Sequence, residues 1–140
     1  MTNPTTNIGI VPVPDHDSAP YFSALANGRF ELQHCADCGH WTWPPRPICS
    51  LCHGDHLVWE PVEGTGSVDT WVVTHHPYFP SLKDLVPYTT VFVRLDVQDD
   101  IMIPGRLLSD VEPDRGLRVR AVSERLVDDI GHLNWTATDA

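Results

Sequence analysis

Two Cys-x2-Cys pairs, Cys35/Cys38 and Cys49/Cys52, sit in the stretch C-A-D-C-G-H-W-T-W-P-P-R-P-I-C-S-L-C, with ten residues between them. They account for all the cysteines of the 140-residue chain. A spacing of two lets both thiolates of a pair reach one ion from a single tight turn. Backbone N–H groups after the first cysteine can point at its sulfur, and Gly39 relieves strain just past the second. Two such turns facing each other form a tetrahedral four-thiolate site with Zn–S near ~2.3 Å. Four protein ligands leave no open position, so the expected role of the metal is structural, replacing a core that so short a segment cannot build. A rubredoxin-like iron centre uses the same ligands, and softness and geometry suit both metals; zinc is the commoner outcome in such ribbons. His34, His40, His53 and His56 flank the site, but four sulfurs already fill the shell, which leaves these histidines outside it.

Little else in the chain has the pattern of a reaction centre. No cysteine remains to act as a nucleophile, and there is neither a Gly-x-Ser-x-Gly elbow nor a glycine-rich phosphate loop. His75-His76-Pro77-Tyr78-Phe79 ends a strand-like run. An imidazole here could act on a substrate held by a partner, yet no companion group stands beside it, and a solvated turn is the plainer reading. The loop it opens runs to about Pro87 and carries Tyr78, Phe79, Leu82 and Leu85, more apolar surface than a solvated loop needs. With His75 and His76 it is the expected partner interface, since aromatic anchors often dominate binding energy.

These groups must be positioned by short elements. Thirteen prolines and nine glycines favour turns and strands over long helices. Residues 1–17 are polar, proline-bearing and weakly patterned, and read as an extended or flexible arm. Residues 18–28 carry a short helix signature: Asp17 or Ser18 can cap it, Pro20 suits its first turn and Gly28 can end it. Tyr21, Phe22 and Leu25 form one apolar face, which serves either the core or a docked subunit. Strands are expected at 29–34, 41–43 and 57–62, with a rigid Pro44-Pro45-Arg46-Pro47 link between the cysteine pairs. Gly64-Thr65-Gly66 marks a boundary, dividing a helix-plus-ribbon unit at 18–63 from a second unit at 64–140. There, strands are expected at 66–75, 89–97, 101–108, 117–125 and 132–138. Val91, Val93, Leu95 and Val97 face one way in the clearest of these. Five strands with turn-like connections suggest a five-stranded Greek-key barrel, and the fold class is mainly β. Trp41, Trp43, Trp59 and Trp71 are expected to pack between the units, and Trp135 to fill the barrel.

Composition narrows the partners. The net charge is −10, about −12 with a four-thiolate zinc site, which repels polyphosphate backbones. A single-strand nucleic-acid module built from ribbon and barrel is therefore the disfavoured alternative, and an iron redox carrier is another. No apolar run approaches a membrane span, and the first twenty residues lack a secretory pattern; a cytoplasmic, reducing location is expected, where paired cysteines bind metal.

The order of elements is itself distinctive. A helix with Tyr21-Phe22 and Leu25 leads to Gly28-Arg29-Phe30. Cys35-x2-Cys38-Gly39 follows, then Pro44-Pro45-Arg46-Pro47-x-Cys49-x2-Cys52, and Gly64-Thr65-Gly66 with Val68 opens the barrel. This resembles the acyl-CoA-associated family with a rubredoxin-like zinc ribbon followed by an OB-fold domain, over residues 18 to 138. The resemblance implies Cys35, Cys38, Cys49 and Cys52 as zinc ligands. It also implies a small subunit in complex with a thiolase-like or lipid-transfer-protein-like enzyme, such as a thiolase or steroid side-chain aldolase. The partner would carry the catalytic residues, while this chain supports its folding and helps shape an acyl-CoA channel. Arg46, Arg106, Arg118 and Arg120 are then the candidate cations for CoA phosphates, against the plainer reading of surface charge balancing nineteen acids.

Overall fold

A computed structural model describes residues 11–138. Residues 1–10 of the expected N-terminal arm lie outside the described residues, and 11–17 contain no helix or strand. Helix α1 spans Ala19–Ala26 with Pro20 in its first turn. Ser18 occupies the N-cap but makes no side-chain cap bond, because its backbone is already helical. Asp15 does the holding instead: its carboxylate accepts the Ser18 N–H at 2.8 Å, and its carbonyl accepts the Ala19 N–H at 2.9 Å. Gly28, at φ +76°, ends the helix, and the Arg29 N–H reaches back to the Ala24 carbonyl at 2.8 Å. This 6→1 bond needs a left-handed residue just past the helix, which glycine adopts without a Cβ penalty.

A three-stranded antiparallel sheet follows in the order β2-β1-β3, built from β1 (Glu31–Cys35), β2 (Trp41–Thr42) and β3 (Leu57–Pro61). The second sheet contains β4 (Thr65–Thr74), β5 (Tyr88–Leu95), β6 (Met102–Arg106), β7 (Arg118–Val127) and β8 (Ile130–Ala137), in the order β6-β5-β4-β7-β8. Its two ends meet where Leu107 forms a parallel bridge with Trp135 and the Leu108 N–H donates to the Trp135 carbonyl at 2.8 Å. The result is a partly open five-stranded barrel of OB type, as expected.

Period-2 alternation fills the barrel. Val91 and Val93 are completely buried and Leu95 nearly so. Val97, expected with them, is 39% exposed, because β5 stops at Leu95 and the chain turns through 96–101. Trp135 lies at the centre, fully buried, against Val68, Val119 and Ile103 of the same cluster. A Cβ on Gly105 would stand 2.7 Å from the Trp135 ring, so the bare backbone makes room for the indole. Trp41, Trp43, Trp59 and Trp71 are partly buried against this core.

Helix α1, grouped by sequence with the ribbon, packs on β8. A Cβ on Gly131 would meet the Ala26 nitrogen at 2.3 Å, and Arg125 Nε donates to the Ala26 carbonyl at 3.2 Å.

Candidate metal centre

The cysteines sit on two matching knuckles. Cys35 ends β1, and the Gly39 N–H closes back to its carbonyl at 2.9 Å; the His53 N–H does the same to Cys49 at 3.1 Å. Each knuckle ends on a left-handed residue just past its second cysteine, Gly39 at φ +79° and His53 at φ +63°. The four sulfurs lie within 4.8 Å of one another, with Cys35–Cys52 and Cys38–Cys49 each 3.6 Å apart. A tetrahedron with ~2.3 Å metal–sulfur bonds has edges of roughly 3.8 Å, so the cage fits one zinc ion. Backbone N–H groups of Leu51 and Gly54 point at the sulfurs of Cys49 and Cys52, each at 3.4 Å.

The electrostatics also call for a cation. Backbone N–H groups, that of Cys52 foremost and then that of Leu51, pull the Cys49 thiol down to about 6. The His40 N–H works to lower Cys38, but burial and the neighbouring sulfurs outweigh it and push that thiol up to about 12. Four thiolates this close cannot all be charged without a positive ion between them. Zinc supplies that charge, and one structural zinc site is the assignment. Cys35 and Cys49 are buried while Cys38 and Cys52 face solvent, so the site lies at the tip of the ribbon.

The flanking histidines contact other groups. His34 stacks on Trp41 at 4.3 Å and approaches Glu60 at 3.1 Å. His56 Nδ1 lies 2.7 Å from Asp37, and this hydrogen bond raises its pKa. His40 lies beside Gln98 and Asp100 at the ribbon–barrel junction.

Two glutamines that the sequence reading missed hold the ribbon, one across that junction and one within the ribbon itself. Gln98, in the β5–β6 loop, accepts the Trp41 N–H at 3.0 Å and donates to the Trp41 carbonyl at 2.7 Å. Gln33 of β1 clasps Arg46 in the same way, with both bonds at 2.8 Å. In each case a side-chain amide mimics a strand neighbour, holding β2 in the first instance and the proline link in the second.

The predicted docking residues separate into two groups. Tyr21 is 6% exposed, Leu25 1% and Leu82 6%; all three are buried within this chain. For Tyr21 and Leu25 this is the core alternative of the two expected, and for Leu82 it is internal packing in place of the expected docking contact. The α1 face is apolar because it covers β7 and β8. Phe22 and Leu85 are half-buried, whereas His75, His76, Tyr78 and Phe79 are exposed. His76 meets Tyr78 edge-on at 4.8 Å.

The four arginines do not converge on one cluster. Arg46 is exposed on the proline link. Arg118 is engaged by Asp96, whose pKa the bond depresses, and by Ser67 at 2.9 Å. Arg120 is exposed on β7. Arg106 is partly buried beside a cleft of about 530 Å³. Its backbone N–H donates to the buried Asn134 at 3.2 Å.

A four-cysteine ribbon joined to an OB barrel defines the class. Residues 22–58 match the ChsH2 rubredoxin-like zinc ribbon domain, and residues 59–124 match the ChsH2 C-terminal OB-fold domain. Together the two matches cover most of the chain, which belongs to this ChsH2-type family, also known as DUF35. A DUF35 domain-containing scaffold protein of Pyrococcus furiosus is 30% identical over 92 residues, covering 63% of this chain and 64% of the relative. A probable enoyl-CoA hydratase alpha subunit of Thermomonospora curvata is 36% identical over 86 residues, 60% of this chain but only 26% of the relative. The chain thus spans under two thirds of either relative. Among solved structures, the fold matches a chain of an Ltp2–ChsH2(DUF35) aldolase with a TM-score of 0.79 at 24% identity, covering 90% of this chain and 98% of that one. It also matches a DUF35 protein of unknown function from Sulfolobus solfataricus, with a TM-score of 0.59 at 14% identity over 88% and 86% of the two chains. Among the described residues, no helix is long and apolar enough to cross a membrane.

Proposed function

We propose that this chain is a noncatalytic accessory subunit of a thiolase-like, acyl-CoA-processing complex. The catalytic partner is a thiolase or a retro-aldolase of the Ltp2 kind, working on acyl-CoA in the cytoplasm. The observation that carries this reading is the end-to-end likeness to a chain of a two-component aldolase, 90% of one and 98% of the other. The scaffold relative from Pyrococcus and the CoA-enzyme subunit from Thermomonospora support the same class. Chemistry agrees: the four cysteine sulfurs lie within 4.8 Å of one another, as one ion would need, and a saturated zinc shell would offer no Lewis-acid position. The chain stabilises its partner and contributes a wall to the acyl-CoA channel.

Co-expression with an Ltp2-type aldolase subunit tests the reading. The two chains are expected to co-purify, to raise the partner's soluble yield, and to cleave acyl-CoA only together. Turnover by the isolated chain, or failure of the two to associate, overturns it.

A further inference from the structure

The strand β4 is longer than the barrel needs. Its first residues, Thr65 to Ser67, pair with β7, and Val68 is still bonded to Leu117 and Gly116. The register then shifts between Val68 and Thr70, and from Thr70 to Thr74 the strand pairs with β5 alone. Among the described residues, no backbone bond covers the opposite edge of Thr70 to Thr74. Val72 is 53% and Val73 45% exposed. Consecutive strand residues point to opposite faces, so this arm shows apolar groups on both. Its tip holds Tyr78, 75% exposed, and Phe79, 54% exposed. They are presented by an ordered loop: Leu82 is buried beneath it, and its N–H donates to the Phe79 carbonyl at 2.9 Å. Beside the arm lies the cleft of about 530 Å³, lined by Trp71 and Val73 of β4 and by Leu107, Val111 and Pro113, with Arg106, Asp110 and Glu112 adding charged groups to its wall. An open, apolar edge of this kind is a template for strand addition, which proteins otherwise blunt with charge or proline.

We infer that the Thr70–Thr74 edge receives an extended segment of the catalytic partner as an added strand, with Tyr78 and Phe79 anchoring beside it. The inference rests on the accessory-subunit reading and names the surface that reading needs. In strand addition the main chain supplies affinity, and alternate side chains enter neighbouring pockets; here they would enter the Trp71 cleft. Charge selects a different protein over a second copy of this chain. Residues 70–92 hold only Lys83 and Asp84 as charged groups, and the cleft wall adds Arg106, Asp110 and Glu112, on a chain of net −10. Self-pairing would bring two such acidic bodies together, whereas a partner of lower negative charge meets no such repulsion.

The test uses the full chain and a purified Ltp2-type aldolase subunit. Amide hydrogen exchange is measured with and without the partner, and binding is measured for wild type and for the double variant Tyr78→Ser/Phe79→Ser. The amides of Val72 to Thr74 are expected to slow by about tenfold or more in the complex. The double variant is expected to lose about tenfold or more in affinity, with zinc content and Tm unchanged because both side chains are exposed. Binding without added protection at 72–74, together with wild-type affinity in the double variant, overturns the strand-addition inference and leaves the subunit reading intact. A wild-type chain that does not bind the partner overturns both. Protection at 72–74 that rises with the concentration of this chain alone overturns the choice of partner in favour of self-pairing.

Discussion

The barrel has a continuous buried core of branched and aromatic side chains, with exposed valines such as Val72, Val73 and Val97 confined to its edges and loops. The ribbon, by contrast, contributes little to that core and shows most of its branched side chains to solvent. Val68, Val91, Val93, Ile103, Val119 and Trp135 are all at most 1% exposed. In the ribbon, Ile48 is 44%, Leu51 62% and Val58 43% exposed, and Leu32 is its one residue in the common core. The two halves therefore obey different rules. The barrel is held by apolar burial distributed over many contacts, where each residue contributes a few kcal/mol. The ribbon is held by one ion and a few directed hydrogen bonds, so its stability is concentrated at points.

The largest effect that can break this contrast is loss of the metal. Apparent zinc affinities in small ribbons are on the order of 10 kcal/mol, and that energy is folding energy. Chelation of the zinc, or Cys49→Ser, is expected to unfold residues 31–61 locally while the barrel keeps its exchange protection. Metal analysis together with residue-resolved hydrogen exchange measures both. Because ligands must be thiolates, the metal should also be released as pH falls, detectable with a zinc dye. Simultaneous melting of β5 and β8 on chelation would show that the halves fold as one unit.

The converse probe removes a barrel contact. Trp135→Ala empties the centre of the barrel, and large-to-small changes of this kind cost about 3–5 kcal/mol. The expected outcome in a denaturant melt is a lower midpoint for the barrel, with zinc still bound. This independence, metal retained when the barrel weakens and barrel retained when the metal leaves, is the sharpest form of the comparison.

Sequence reading and structure agree where a local pattern dictates the outcome. Cys-x2-Cys spacing fixes a knuckle without reference to the rest of the chain, and the alternation from Val91 to Leu95 fixes which face of β5 turns inward. They part where the deciding partner is distant. Tyr21 and Leu25 have the periodicity of an apolar face, but periodicity does not say whether that face meets a partner or β8. Gly131 decides the matter: more than a hundred residues away, it admits the helix backbone. The same holds at Asp15, where a carboxylate three residues before Ser18 takes over the expected capping role. Neither relation leaves a periodic trace.

The smallest expected effect falls on the seam between the halves. Gln98 carries no charge and belongs to no motif, yet it is the barrel residue that bonds both backbone groups of Trp41. Gln98→Ala would leave that N–H and carbonyl without those partners at a half-buried site. Losing such bonds costs about 1–2 kcal/mol, since water recovers part of what the amide supplied. That is a fraction of the zinc contribution and less than the Trp135 term, so the variant should fold, bind zinc and show only a slightly lower melting temperature. Its signature is local: faster exchange at Trp41, with the protection of β5 and the metal content unchanged. If the loss were instead as large as that of Trp135→Ala, the ribbon and barrel would be coupled through this seam as strongly as the barrel is within itself. The contrast between distributed and point-held stability would then fail at their boundary.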